Sequence, residues 1–256
     1  MFSLKNKVAV VTGAGSGIGA AIAELFAEAG ALVYVAECHE KSGHATAARI
    51  IQAGGRAKVI QVDITVERDC ETLAERVLEH DEQRCDVLVN NAGIGHVGTI
   101  LSTETADFEK LWQVNVRGLY FVSRKFLPAM VTRGRGSIIN LGSVAAVTGM
   151  ESRFAYTATK HAVLGMTRSM AMDFGTSGVR INCICPGRVQ TPFVEARLKE
   201  YADPEAYLRQ MVAPHAVKRL GTPREIAAAA LFLACDESSF VTGCAFSVDG
   251  GYTTGK

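Results

Sequence analysis

Along the chain, short apolar and β-branched runs alternate with longer stretches of helical periodicity. VAVVT (8–12) precedes a helical pattern over 17–29, ALVYVA (31–36) one over 40–53, and AKVIQV (57–62) one over 67–83. DVLVN (86–90) leads into helices across 104–133, and SIIN (137–140) into a helix over 155–174. VRINCI (179–184), a polar helical stretch over 192–213, a helix over 223–234 and a last strand, AFSVD (245–249), complete the series. Strands that read as continuous apolar runs are covered on both faces, and the helices between them supply the crossovers that parallel strands need. The pattern predicts an α/β, doubly wound Rossmann-like fold, with a single parallel sheet of about seven strands and helices on both faces. No internal repeat, low-complexity tract or Pro/Gly/Ser linker interrupts it, so 1–256 is expected to be one catalytic domain. The least regular stretch, 188–215, follows a strand end and is polar on many faces; it is the expected substrate lid.

Composition narrows the partner. With 27 Lys and Arg against 26 Asp and Glu, mixed along 256 residues, the formal charge of +1 leaves no basic footprint for nucleic acid or a membrane surface. A small molecule is the expected ligand. The opening apolar run is too short for a secretory signal or a membrane span, so a cytoplasmic location is expected. Seven cysteines without CxxC spacing read as reduced thiols. Cys183 and Cys185 share one strand face; a metal site would need two further ligands that are not near in sequence, so they read as small buried hydrophobes.

The first strand runs straight into TGAGSGIG, with Gly13, Gly15, Gly17 and Gly19. Glycine is required at any tight strand-to-helix turn, but here the turn opens a helix whose N-terminus and backbone N–H groups suit a pyrophosphate. The stricter GxGxxG spacing fails at Ile18, and GxxxGxG fits instead; Ser16 lies inside the turn. An acidic residue about 20 positions on, at the end of the second strand, accepts from an adenosine ribose. Glu37 stands there, and its carboxylate would repel a 2′-phosphate, with no cation at Ser16 or Cys38, which points to NAD rather than NADP. Asp63, after the third strand, either accepts from the adenine amino group or caps the helix starting near Glu67; the sequence leaves both open. Asn90 and Asn91 follow the fourth strand, where ligands of open α/β sheets bind, though turn chemistry also uses Asn.

Ser143 follows the fifth strand, and Tyr156 precedes Lys160 by four residues on a predicted helix, so the two share a face. A phenol titrates near about 10, too high for a base at neutral pH. Two unit charges about 4 Å apart at an effective dielectric of about 20 interact by about 4 kcal/mol, the ceiling on how far Lys160 draws Tyr156 towards neutrality. Ser143 is placed to hold the reacting oxygen by a hydrogen bond. An isolated YxxxK is equally an amphipathic surface pair; the glycine turn gives it weight.

Taken together, the chain resembles the short-chain dehydrogenase/reductase family over nearly its whole length. The matching segments are the glycine turn, Asp63, NNAG (90–93), Asn115 in VNVRG, Ser143, YTATK (156–160), PG (186–187) with Thr191, and VDGG (248–251). The resemblance implies a catalytic tetrad of Asn115, Ser143, Tyr156 and Lys160, with Asn115 bending a helix and anchoring a water that links Lys160 to solvent. It implies that Lys160 holds the nicotinamide ribose, that Val189 and Thr191 touch the carboxamide, and that Ile64, Asn91, Ala92, Gly93, Pro186 and Gly187 complete the cofactor site. It also implies a homotetramer.

Within that family the chain looks most like cytosolic 3-hydroxybutyrate and 2-keto-3-deoxy sugar-acid dehydrogenases, in which arginines hold the substrate carboxylate. Arg153, a turn before Tyr156, and Arg197, in the expected lid, match two such positions, and a guanidinium suits a carboxylate bidentately. A third arginine of those relatives falls near Pro214 and His215, and Arg188 replaces their usual small residue. The competing readings are an NADPH-dependent 3-oxoacyl-thioester reductase, against which Glu37 and the balanced charge speak, and a non-enzymatic NAD-binding sensor or scaffold, against which the complete tetrad speaks. A hydrolase is excluded because Leu141 and Ala145 stand where a nucleophile elbow at Ser143 would need glycine.

Overall fold

The structure, a computed structural model, describes residues 2–81, 84–198, 201 and 203–255, the side chains of residues 193 and 197 excepted. Among the described residues, strands β1 (Val8–Thr12), β2 (Leu32–Glu37), β3 (Arg56–Gln61), β4 (Val87–Asn90), β5 (Gly136–Leu141), β6 (Val179–Pro186) and β7 (Ala245–Val248) form one sheet. Every pairing is parallel, in the order β3-β2-β1-β4-β5-β6-β7. The helices are α1 (Gly17–Glu28), α2 (Glu40–Gln52), α3 (Glu67–His80), α4 (Thr105–Trp112), α5 (Leu119–Thr132), α6 (Phe154–Phe174), α7 (Pro192–Leu198), α8 (Pro204–Val212) and α9 (Pro223–Ala234). The doubly wound Rossmann-like sheet expected from the sequence is the one that forms. No helix among the described residues is long and apolar enough to cross a membrane.

Alternate residues of the inner strands feed two large cores, and Cys183 and Cys185 of β6 belong to a smaller third one. Val11, Val33, Val35 and Ile139 pack with Ile22 and Phe26 of α1, Ile50 of α2, and Ile226 and Leu233 of α9. Val10, Tyr34, Leu88 and Ile138 face the other way, onto Leu73 of α3, Phe126 of α5 and Ala171 of α6. Full burial of each large apolar side chain is worth about 1.5–3 kcal/mol, which is why the inner strands are mostly apolar, and the buried polar side chains they do carry are bonded, as Asn140 is to Asn90 and Thr167. β3 pairs on one side only and carries exposed positions, as an edge strand should.

Two details depart from the sequence pattern. A six-residue π-helical segment, Gln113–Gly118, joins α4 to α5; helical periodicity alone does not show it, and it contains Asn115, the residue that the resemblance expects to bend a helix. The polar stretch over 192–213 divides into α7 and α8, and the second starts at Pro204 with Asp203 capping it, its Oδ1 accepting from the Ala206 N–H at 2.8 Å.

Chain order reverses between β1 and β4: β2 and β3 lie on one side of β1, and β4 to β7 on the other. Loops leaving these two strands therefore part in opposite directions and open a crevice at the carboxyl ends of the strands. The buried carboxylate of Asp86 pins this pair, accepting from Val8 N–H at 2.8 Å and from Arg84 Nε at 2.7 Å.

Candidate active site

The glycine turn lines one wall of the crevice. Gly13 and Gly17 hold positive φ, +62° and +55°, where a side chain is strained. A Cβ at Gly13 would sit 2.8 Å from Ala92 Cα, and one at Gly19 would run into the Gly13 carbonyl and the Asn91 amide. Asn91 stitches the two loops together: its Nδ2 donates to Thr12 O and Gly13 O, both at 2.9 Å, while Thr12 Oγ1 accepts from Asn91 N–H (3.1 Å) and Ala92 N–H (3.2 Å). Ser16 precedes α1 in extended backbone and makes no side-chain cap, so the positive end of α1, from Gly17 through Ile18 and Gly19, faces the crevice without an acidic or hydroxyl cap of its own. Opposite, Thr191 Cγ2 would lie 3.4 Å from a Cβ at Gly17, and Thr191 Oγ1 accepts from Val194 N–H at 3.3 Å at the start of α7. Such a bare, glycine-floored cradle fits a dinucleotide diphosphate.

Glu37 ends β2 with its carboxylate buried against this turn. One oxygen accepts from Gly15 N–H at 2.9 Å; the other accepts from His39 N–H at 3.1 Å and from the Cys38 thiol at 3.3 Å. Asp63 does not cap α3, which starts after Val66 without a side-chain cap. Its Oδ1 instead accepts from Thr65 N–H (2.9 Å) and Thr65 Oγ1 (2.7 Å), leaving it exposed at the crevice end of β3. The next side chain, Ile64, is buried against Gly118 of the π-helical segment.

Ser143 follows β5 by two residues. Its Oγ accepts from Ala145 N–H at 3.1 Å, at the head of a 3₁₀ turn, Val144–Ala146, which leaves the hydroxyl hydrogen to be donated elsewhere. The preceding Gly142 has no room for a side chain, since a Cβ there would lie 2.6 Å from Cys183 Sγ. α6 packs against this turn. On it, Lys160 is buried, donates from Nζ to Leu141 O at 2.7 Å, and lies 5.7 Å from the centre of the Tyr156 ring. Asn115 sits in the π-helical segment. Its Oδ1 accepts from Ile94 N–H (2.9 Å), and its Nδ2 donates to Ile94 O (3.0 Å) and Thr159 Oγ1 (3.1 Å). Thr159 Oγ1 in turn donates to Tyr156 O at 2.8 Å. Gly93 lies between Asn115 and Lys160: a Cβ there would be 3.2 Å from Asn115 Oδ1 and 3.7 Å from Lys160 Nζ.

Arg153 immediately precedes α6. One guanidinium nitrogen donates to His96 O at 3.0 Å, and the loop around Gly98 pairs with this segment through Gly98 N–H to Ser152 O (2.9 Å) and Phe154 N–H to Gly98 O (3.0 Å). The side chain of Arg197 lies outside the described residues. Beyond Pro186, Gly187 donates to Val248 O at 3.1 Å, and the buried Val189 bridges to Gly221. His215, buried, accepts on Nε2 from Arg188 N–H at 3.1 Å, and burial lowers the ring's pKa, which suits the neutral form that this bond needs.

Sequence reasoning does not single out Thr12, His96 or Thr159, and it meets His215 only as a position near which relatives carry an arginine. Thr12 and Thr159 lie inside motifs that were recognised, TGAG and YTATK, so a signal existed for them. The contributions of His96 and His215 depend on contacts 57 and 27 residues away and have no local signature.

Fold and site together define an oxidoreductase that works with a nicotinamide dinucleotide. A family model described as enoyl-(acyl carrier protein) reductase matches residues 13–253. The chain is 41% identical over 251 residues to an uncharacterized oxidoreductase of Thermotoga maritima, covering 98% of this chain and 99% of that one. It is 39% identical to 2-(S)-hydroxypropyl-CoM dehydrogenase 3 of Xanthobacter autotrophicus, covering 98% of each. A solved structure from Beutenbergia cavernae, provisionally assigned as an NAD(P)-dependent gluconate 5-dehydrogenase and holding NADP at low occupancy, superposes with a TM-score of 0.92 at 34% identity over 99% of both chains. The chain belongs to the short-chain dehydrogenase/reductase family, oxidoreductases acting on CH–OH groups.

Proposed function

We propose that the protein is an NAD(H)-dependent dehydrogenase that interconverts a secondary alcohol and a ketone on a small polar hydroxy acid or sugar-derived substrate. The observation that carries this reading is the buried Lys160 ammonium, bonded to the end of β5 and beside the Tyr156 ring. Gly13, Ser16, Gly17, Ile18 and Gly19 hold the diphosphate, and Glu37 holds the adenosine ribose. Asp63 and Ile64 flank the adenine, and Asn91, Ala92, Gly93, Pro186, Gly187, Val189 and Thr191 enclose the remainder. When bound, the nicotinamide supplies or takes up the hydride.

The chain's own residues manage the proton. Tyr156 passes it between its hydroxyl and the substrate oxygen, and Ser143 donates a hydrogen bond to that same oxygen. Lys160 holds the nicotinamide ribose and places a positive charge beside the phenol. Asn115, with both ends of its side chain engaged, holds the π-helical segment against α6 and anchors the water through which Lys160 reaches solvent. Arg153 and Arg197 take the substrate carboxylate, with 188–215 closing as a lid. The working form is a cytoplasmic homotetramer of single-domain chains; a monodisperse monomer in light scattering at working concentration would overturn that assembly.

The acyl carrier protein in the description of the matching family model and the NADP in the Beutenbergia structure keep a second reading open, an NADPH-dependent 3-oxoacyl-thioester reductase. One experiment separates them. Parallel titrations of NAD(H) and NADP(H) across hydroxy acids, sugar acids, sugars, cyclic alcohols and an acyl thioester should give turnover with NAD(H) and a hydroxy or sugar acid. Preference for NADPH with the thioester would overturn the first reading.

A further inference from the structure

Glu37, Cys38 and His39 are consecutive at the end of β2, and one donor atom from each, a carboxylate oxygen, the thiol sulfur and a ring nitrogen, falls within 4.8 Å of the other two. Among the described residues this is the one group of three such side chains with metal-ligating spacing. The carboxylate is held from behind, since the Gly15 N–H occupies one oxygen and leaves the other turned towards Cys38 and His39. Cys38 and His39 are exposed, so the cluster opens to solvent on the side where ligands arrive.

We propose that Glu37, Cys38 and His39 form a site for a borderline-soft divalent cation of the Zn²⁺ class, and that such an ion and the dinucleotide exclude each other. The donor set is one oxygen, one nitrogen and one sulfur, with a fourth position left to water, the combination that suits a tetrahedral ion. Bonds of about 2.0–2.3 Å place neighbouring donors about 3.3–3.8 Å apart. The exposed Cys38 and His39 side chains therefore close in by about 1 Å through rotation about χ1, while Glu37 stays where Gly15 holds it. As sulfur binds the ion, the thiol proton passes to solvent. Exclusion of the dinucleotide rests on Glu37 being the ribose carboxylate, as proposed above: one carboxylate cannot serve both ligands.

Cd²⁺ is a direct probe, because thiolate coordination gives an ultraviolet charge-transfer band. The full chain should develop this band with one equivalent of Cd²⁺. Cys38→Ser should abolish it, and His39→Gln should weaken Cd²⁺ affinity by at least about tenfold, with melting temperatures unchanged because both side chains are exposed. Added NAD should bleach the band, and Zn²⁺ should raise the apparent KM for NAD at unchanged kcat. A band that survives Cys38→Ser, or the absence of any band, overturns the site and leaves the ribose assignment untouched. A band lost in Cys38→Ser but indifferent to NAD upholds the site and overturns both the exclusion and the ribose assignment.

Discussion

The ammonium of Lys160 donates to the carbonyl oxygen of Leu141 across 2.7 Å, joining the inner face of α6 to the last residue of β5. Ser143 lies two residues beyond that carbonyl and Tyr156 one helical turn before that ammonium, so a single bond sets the height of the helix against the strand end. Asn115 repeats the device from the other side, through Thr159 to the Tyr156 carbonyl. The phenol is therefore positioned through Lys160 and Asn115, and among the described residues no hydrogen bond of its hydroxyl helps to hold that frame.

That separation makes Tyr156→Phe a clean test. The substitution keeps the ring beside Lys160 and deletes only the oxygen, so NADH binding followed by fluorescence and the melting temperature should match wild type. Turnover should fall by about 10²–10⁴-fold, the usual range for losing a positioned acid or base. Turnover near wild type would remove Tyr156 from the chemistry.

Glu37→Ala tests cofactor choice. It removes a negative charge from the floor of the proposed ribose site and also releases the Gly15 N–H, so the affinity for NAD should weaken while that for NADP improves. The ratio of kcat/KM values for NAD over NADP should drop by about tenfold or more, equivalent to about 1.4 kcal/mol. An unchanged ratio would place the ribose elsewhere.

How far the sequence reaches is visible in particular elements. β1 and α9 occupy the spans that the apolar pattern predicts, because a strand covered on both faces and a helix with a Thr-Pro start carry their instructions locally. Periodicity shows nothing of the π-helical segment: its extra residue is held by Asn115 bonding to Ile94 and Thr159, 21 and 44 residues away, and only the family resemblance of VNVRG implies a bend there. Asp63 shows the same limit. Capping and ligand binding require the same residue at the same place, and only the turn of its carboxylate onto Thr65 removes the first. The glycine turn and YTATK were legible since backbone approach and helix-face pairing demand specific residue types at fixed spacing.

Arg153→Lys addresses the substrate. The lysine keeps a positive charge but loses the planar fork, and with it the bond to His96 O that orients the group at the start of α6. One charge-assisted bond is worth about 1.5–3 kcal/mol, so the KM for a carboxylate substrate should rise by about 10–100-fold. Activity on a neutral alcohol accepted by the enzyme should barely move. Equal loss on both substrates would mean that Arg153 supports the loop around His96 and does not read the acid.

The last expectation concerns stability, at the start of α9. Thr222 and Glu225 form a reciprocal cap: Thr222 Oγ1 accepts from Glu225 N–H at 3.3 Å, and a Glu225 oxygen accepts from Thr222 N–H at 2.7 Å. Arg219 binds the same carboxylate with two nitrogens, at 2.6 and 2.9 Å. Arg219, followed by the cap, holds the Glu225 carboxyl down at about 2 from an ordinary 4.5. A carboxylate whose folded pKa is depressed stabilises the fold above its unfolded value, and that stability fades as pH falls from about 4.5 towards 2. Because the group is exposed, solvent screening limits the gain to about 1 kcal/mol, the worth of a helix cap with a surface ion pair. Glu225→Gln should therefore lower the melting temperature by about 2–4 °C at pH 7. Its deficit should shrink steadily through the acid window, in scans compared with wild type at matched ionic strength. A deficit that stays constant down to pH 2 would assign the loss to packing and not to the charge on Glu225.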